Sequence, residues 1–319
     1  MWLPIAVAVL FLIVILLSWL AFQGVMKRPK SKDLSDEEVL LTSELFGYAA
    51  VLRPALNWFA SRKWESAAVT AADGAVLRGL WLPCKNAAGS ILLLHDYGGA
   101  PRDLAPVARW AEKRKLSILA VFERAHGESG GEYTSLGLLE AADAVLWLRK
   151  MQELNGEDIP IVLYGSGMGG AAVMQLADRE LPDCVVAGVT EGGYPSVKEM
   201  IRHVMKHEFH MRVFPMLQFM GLFGQLIWHR TAGKLDAKES LKSAKLPLLF
   251  AHGEADRKIP PEMSRDAHDA CASAKKLVTC ENAGHGACPL SEPELYFGEL
   301  DAFLLPLLKK NGGKSSGNL

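Results

Sequence analysis

From residue 75 onward the chain carries seven short apolar runs, at 75–82, 90–95, 117–122, 160–164, 184–190, 247–252 and 275–280. Between them lie stretches at 102–115, 137–154, 168–180, 261–273 and 292–308, where apolar positions recur about every 3.6 residues, the helical period. Continuous apolar runs of this length, with no polar alternation, read as strands buried on both faces. Strands separated by helices require crossover connections, so the pattern predicts a mostly parallel sheet with helices on both faces. Residues 195–245 break the rhythm. They are too long for one crossover and predict two or three helices inserted between strands.

The first residues behave differently. Trp2 to Phe22 carry no charge, and only Pro4 and Ser18 interrupt Ala, Val, Leu, Ile, Phe and Trp. About 20 such residues at 1.5 Å each span a hydrocarbon core about 30 Å thick. No basic stretch precedes the run, which favours an anchor over a cleaved signal. Lys27, Arg28, Lys30 and Lys32 follow it, so the positive-inside rule places the remaining chain on the cytoplasmic side of the cell membrane, as a single-pass protein. The expected organisation is an anchor at 1–26, a linker with mixed helical sequence at 27–64, one domain at 65–308 with its insertion at 195–245, and a disordered tail at 309–319.

Charge and cysteine content narrow the function. The 319 residues include 35 Lys and Arg against 36 Asp and Glu, a balance that gives no electrostatic reason to expect a nucleic-acid partner. Cys84, Cys184, Cys271, Cys280 and Cys288 are widely spread and form no Cys-x-x-Cys. That is neither a disulfide framework nor a zinc site, and no metal is expected. His203, His207 and His210 have the wrong spacing for a zinc helix and read as a solvated face.

Ligands of parallel sheets bind outside the carboxyl ends of the strands, and four of those ends carry chemistry. They are His95-Asp96-Tyr97-Gly98-Gly99, Gly165-Ser166-Gly167-Met168-Gly169-Gly170, Asp256 in AHGEADRKIP, and His285 in ENAGHGACPL. In these segments the chain resembles the α/β-hydrolase superfamily over about residues 65–308, and within it the bacterial membrane-anchored, serine-aminopeptidase-like hydrolases. The order of elbow, acid and histidine is that of the superfamily. ERAHGESGG at 123–131, EGGYPS at 191–196 and HGEAD followed by IPPEMS are similar to its other conserved words. The resemblance implies an eight-stranded, mostly parallel sheet. It also implies Asp256 as the acid, His285 as the base, and the N–H groups of Tyr97 and Met168 as oxyanion donors, with the second ring nitrogen of His285 facing Gly167. His126 is expected to fix its loop.

Two positions depart from that family. The third residue of its Gly-x-Ser-x-Gly elbow is Gly167 here, and Ser166 stands one place early, where its side chain should face away from His285. The family's His-Gly before the oxyanion loop is His95-Asp96. A carboxylate beside an oxyanion hole opposes the charge that develops there unless it points outward. Loss of the serine from a working triad lowers kcat by about 10⁶, so the implied ester, thioester or amide hydrolysis is expected to be weak or absent. Gly167→Ser is expected to supply the missing hydroxyl.

The alternatives are a non-catalytic ligand-binding or scaffolding protein and, from another class, a dinucleotide binder. Gly165, Gly167 and Gly170 form Gly-x-Gly-x-x-Gly, and Glu191 follows 21 residues after Gly170. Against the dinucleotide reading, several strands precede the motif, and no cofactor is expected. The insertion holds five of the eleven methionines together with Phe209, Phe214, Phe219, Phe223 and Trp228. It predicts an adaptable apolar cap over the site and, with the anchor, an acyl or lipid-like small-molecule ligand.

Overall fold

A computed structural model of the chain describes residues 2–30, 43, 45–208, 210, 213–228 and 236–312. The apolar runs become one eight-stranded sheet. Its strands are β1 (Glu65–Thr70), β2 (Val76–Leu82), β3 (Gly89–Leu94), β4 (Leu116–Val121), β5 (Ile161–Ser166), β6 (Val185–Glu191), β7 (Leu248–Gly253) and β8 (Lys275–Cys280). They lie in the order β1-β2-β4-β3-β5-β6-β7-β8. The pairs β1–β2 and β2–β4 are antiparallel, and every other neighbouring pair is parallel. Strands β3, β4, β5 and β7 are buried along their whole length, as expected of strands covered on both faces.

One face is covered by α2 (Ala49–Ala60), α3 (Ala105–Lys113) and the last helix, α11 (Pro293–Gly312). There Leu56, Trp110, Leu300 and Leu304 pack onto β3, β4 and β5. The other face is covered by α4 (Leu138–Asn155), α5 (Met168–Gln175), α8 (Lys238–Lys242) and α9 (Pro261–Ala270), through Trp147, Leu148, Val173, Leu241 and Ala267. A short α10 (Cys288–Ser291) precedes α11. Within the insertion the described residues form α6 (Val197–His207), α7 (Met216–Trp228) and α8, which agrees with the two or three helices predicted. Residues 31–42 and 44 of the expected linker segment at 27–64, Phe209, and residues 313–319 of the expected tail lie outside the described residues, whereas Lys309–Gly312 continue α11.

The amino-terminal apolar run is a single helix, α1 (Trp2–Met26). Most of it is exposed, but its last turns enter the protein. Phe22 and Met26 are buried in a third cluster with Met168, Met200, Met205, Leu217 and Met220. Aromatic rings fasten α7 along α1: Phe11 against Phe219 at 5.8 Å, and Trp19 against Phe223 at 5.1 Å. The basic residues after α1 are engaged as well. The Arg28 guanidinium donates to the carbonyls of Ser129 and Gly127, and the Arg28 backbone N–H donates to Glu132 O at 2.9 Å. The sheet's carboxyl edge is thus roofed by α1, α6 and α7.

Candidate active site

Strands β3, β5, β7 and β8 each deliver one segment to that edge. Asp96 follows β3, Gly167 ends the turn from β5 to α5, Asp256 follows β7 and His285 follows β8. The turn at Gly167 is tight, with φ +50° and ψ −110°, in the left-handed half of backbone space that suits glycine. Its neighbours are glycines because backbone crowds them. A β-carbon on Gly165 would lie 2.1 Å from Gly169 O, and one on Gly169 would lie 2.3 Å from Leu94 O. The helix N-terminus is thereby drawn against the sheet, with the Met168 N–H aimed into the site.

His285 Nδ1 lies 2.7 Å from Asp256 Oδ2. Asp256 is nearly buried and its second oxygen accepts the N–H groups of Lys258 and Ile259, both at 2.9 Å. His252 Nε2 stands 3.2 Å from the same Oδ2. Burial alone would raise the Asp256 carboxyl, but hydrogen bonds to His252 and His285 hold it well below the usual carboxylate range. The carboxylate therefore fixes the imidazole, with Nδ1–H donating to it.

The second nitrogen of His285 does not face an empty Gly167. It meets Asp96, whose Oδ2 lies 3.0 Å from Nε2. Lys258 Nζ stands 3.2 Å from the same oxygen, and Asp96 Oδ1 accepts the Met168 N–H at 2.8 Å. A β-carbon on Gly167 would lie 1.9 Å from Asp96 Oδ1. The Asp96 carboxylate thus occupies the volume where a side chain on the elbow would stand. The carboxylate points inward and takes the Met168 N–H for itself, partnered also by the His285 imidazole and the Lys258 ammonium. The expectation for Gly167→Ser alone is corrected, because the space for the hydroxyl is filled.

Charge follows from this geometry. Burial would raise the Asp96 carboxyl, but Lys258, His285 and the Met168 N–H together hold it well below its ordinary value. Burial and Lys258 would lower His285. The Asp96 charge and the hydrogen bonds to Asp256 and Asp96 outweigh them and push it up to about 9. At neutral pH the centre is a carboxylate–imidazolium–carboxylate array with an ammonium at its edge.

Two buried histidines hold the Asp96 loop. His95 Nε2 accepts the Glu123 N–H at 3.0 Å, and its Nδ1–H donates to Asp96 O at 2.7 Å. His126 Nε2 accepts the Gly98 N–H at 2.9 Å, the loop-fixing contact expected of it. Burial lowers both, His95 to about 3, so each is neutral. Under them, Arg124 forms a bidentate pair with Asp143 at 2.7 and 2.9 Å.

The remaining motif residues are used structurally. Ser166 donates its hydroxyl to Glu191 Oε2 at 2.8 Å, and both are buried. Burial pushes the Glu191 carboxyl up, so it is not a surface acid that could meet a ribose. The Gly167 face, where a pyrophosphate would approach the backbone, is covered by an anion, Asp96. Among the described residues no cluster of His, Cys, Asp or Glu is arranged to hold a metal.

Beside Asp96, Lys258 and His285 opens a cavity of about 600 Å³. Its walls are Met200, Ile201 and Met205 of α6, Met216 and Met220 of α7, and Ala21, Gly24 and Val25 of α1. Tyr97 lies at the same rim, its hydroxyl donating to Val25 O at 2.8 Å. What sequence reasoning missed is the lysine and the inward turn of Asp96.

Sheet order, glycine elbow and acid–histidine pair on successive strand ends define the α/β-hydrolase fold. No protein-family model matches the chain. It is 24% identical over 230 residues to the uncharacterized protein YfhR of Escherichia coli, covering 69% of this chain and 73% of YfhR. It is 27% identical over 189 residues to Bem46 of Schizosaccharomyces pombe, covering 59% of this chain and 58% of that protein. Among solved structures, the esterase Pf2001 of Pyrococcus furiosus superposes with a TM-score of 0.64 at 20% identity, over 78% of this chain and 94% of the esterase.

Proposed function

We propose that the protein is a membrane-anchored α/β-hydrolase-fold protein that binds an apolar acyl or lipid-like ligand, and that it has left serine hydrolysis behind. The observation that carries this reading is the Asp96 carboxylate seated in the elbow's side-chain volume, against Gly167, at the floor of a methionine-lined cavity. Asp256 and His285 keep the roles of acid and imidazole, and Met168 that of backbone donor. Among the described residues no hydroxyl is hydrogen-bonded to His285, and Ser166 is committed to Glu191. The anchor is α1, whose 25 residues are long and apolar enough to cross a bilayer, with the domain on the cytoplasmic side. The apolar walls supplied by α1 favour a ligand that arrives from the bilayer.

The test uses the full chain in detergent micelles or vesicles. Fluorophosphonate should fail to label it, p-nitrophenyl acyl esters should not turn over, and a fluorescent long-chain fatty acid should bind and be displaced by unlabelled acyl chains. Labelling abolished by Ser166→Ala would overturn the loss of serine chemistry. Absence of acyl-chain binding would overturn the ligand. Carbonate extraction and the accessibility of residues after Lys27 from each side of sealed vesicles check the anchor and its orientation.

A further inference from the structure

In a serine hydrolase the backbone N–H after the elbow holds the oxygen of the substrate's carbonyl as it becomes an oxyanion. Here the Met168 N–H is already 2.8 Å from an oxygen, and that oxygen is Asp96 Oδ1. The acyl carbon this donor is set to stabilise is therefore Cγ of Asp96 itself. The base is aimed at the same group: His285 Nε2 lies 3.0 Å from Oδ2, with Asp256 behind it. A site arranged to hydrolyse an acyl group on its own side chain makes sense if that side chain becomes an ester.

We infer that Asp96 is a carboxylate nucleophile that attacks the ring carbon of an apolar alkyl epoxide, and that His285 and the Met168 N–H then hydrolyse the resulting Asp96 ester. Carboxylates are established covalent nucleophiles, and a strained ring is an electrophile that a weakly basic carboxylate can open. Lys258 favours an epoxide over an electrophile whose leaving group departs unassisted. Its ammonium, 3.2 Å from Oδ2, is a proton donor beside the reacting oxygen. The Asp96 side chain is 24% exposed and faces the cavity, so a ligand bound there meets it. This inference rests on the apolar cavity being the ligand site.

The steps balance. Oδ2 of Asp96 forms a bond to a ring carbon, the carbon–oxygen bond of the ring breaks, and the released oxygen takes a proton from Lys258. The product is a hydroxyalkyl ester of Asp96, which no longer carries a charge. Asp96 is the anion that keeps His285 protonated, so the imidazolium gives its proton up, through solvent, to Lys258. Neutral His285 then takes a proton from water as the water oxygen bonds to Cγ, and the oxyanion that forms on Oδ1 is held by the Met168 N–H. Collapse expels the Oδ2 alkoxide, which takes the proton from His285, and the carboxyl proton returns to His285. The sum is epoxide plus water giving a vicinal diol, with one carboxylate oxygen transferred to the product and replaced from water.

The experiment uses full-length protein in detergent and dodecene oxide as the probe. His285→Gln should accumulate a covalent adduct with the mass of one epoxide, mapped to the peptide containing Asp96. The native protein should release diol, and repeated turnover in water enriched in heavy oxygen should place the label in Asp96. Asp96→Asn should lose diol formation at least a hundredfold and form no adduct, with circular dichroism confirming its fold. Diol formation with no label in Asp96 would overturn the nucleophile in favour of direct attack by water. Absence of both diol and adduct, in protein that still binds the fluorescent fatty acid, would overturn the activity and leave the ligand-site reading standing. Loss of fatty-acid binding by the native protein would instead strike the underlying reading.

Discussion

Gly167→Ser, made alone and together with Asp96→Gly, tests whether one carboxylate replaces the elbow side chain. A β-carbon at Gly167 would lie 1.9 Å from Asp96 Oδ1 and 2.2 Å from its Cγ, where carbon contacts settle near 3.5–4.0 Å. The carboxylate must leave, giving up the Met168 N–H, His285 and Lys258. Hydrogen bonds to charged groups contribute about 1.5–3 kcal/mol each when both partners stay buried. The φ of +50° adds about 1 kcal/mol for any residue with a side chain. Asp96 and Lys258 are partly exposed, so the displaced groups recover much of this bonding from water, and Gly167→Ser should lower stability by about 3–5 kcal/mol. The double variant removes the clash, so the cycle should show favourable coupling of about 2 kcal/mol. Urea unfolding of the four proteins measures this, and fluorophosphonate labelling reads the chemistry. The double variant should label, with ester hydrolysis at least about a hundredfold above either single variant. Stability effects that add within about 0.5 kcal/mol, or a single Gly167→Ser that labels as fast as the double variant, would refute the shared-volume argument.

His285 should titrate near pH 9 by NMR, and Asp96→Asn should lower that value. A rise from 6.5 to about 9 corresponds to about 3 kcal/mol of stability. Because the folded value is the higher one, this contribution is complete below about pH 6.5 and lost as pH climbs through about 9. Urea midpoints at about pH 6 and pH 10 should differ more for the native protein than for Asp96→Asn, and equal differences would remove the ion pair from the account. Arg124→Ala leaves the buried Asp143 without its bidentate partner and should cost about 3–5 kcal/mol; an unchanged urea midpoint would show that the pair carries no weight. Met220→Lys sets a charge in the cavity wall and should weaken fatty-acid binding at least tenfold while the far-ultraviolet spectrum stays native.

The interior strands were legible because β3, β4, β5 and β7 are buried end to end, and such strands read as unbroken apolar runs. The edge strand β1, ESAAVT, was not among the runs. One of its faces meets solvent and only Ala67 is buried, so its signal is a weak alternation that small residues blur. Strand-end motifs brought Asp256 and His285 together correctly, since their order follows from topology. The orientation of Asp96 was hidden because it depends on a missing side chain 71 positions away in sequence, across the β3–β5 pair. The signal was nonetheless present. The two positions that depart from the resemblance, Asp96 and Gly167, are the two that the structure brings into contact. Lys258 gave no such sign, because a lysine in a polar loop looks like any solvated charge.

The apolar amino-terminal helix α1, which we propose as the anchor, also walls the cavity. Ala21, Gly24 and Val25 face the ligand space, Tyr97 is tied to Val25 O, and Phe22 and Met26 are locked into the domain. A spanning helix answers bilayer thickness by tilting, at fractions of a kcal/mol per Å of mismatch, and a helix that tilts as a rod carries its buried end with it. If α1 spans a bilayer as proposed, the thickness of the surrounding lipid is an input to the shape of the pocket. By reciprocity the bound ligand biases the thickness the helix prefers. On that proposal, the protein's partition between thin and thick regions of a membrane would read out whether its cavity is filled.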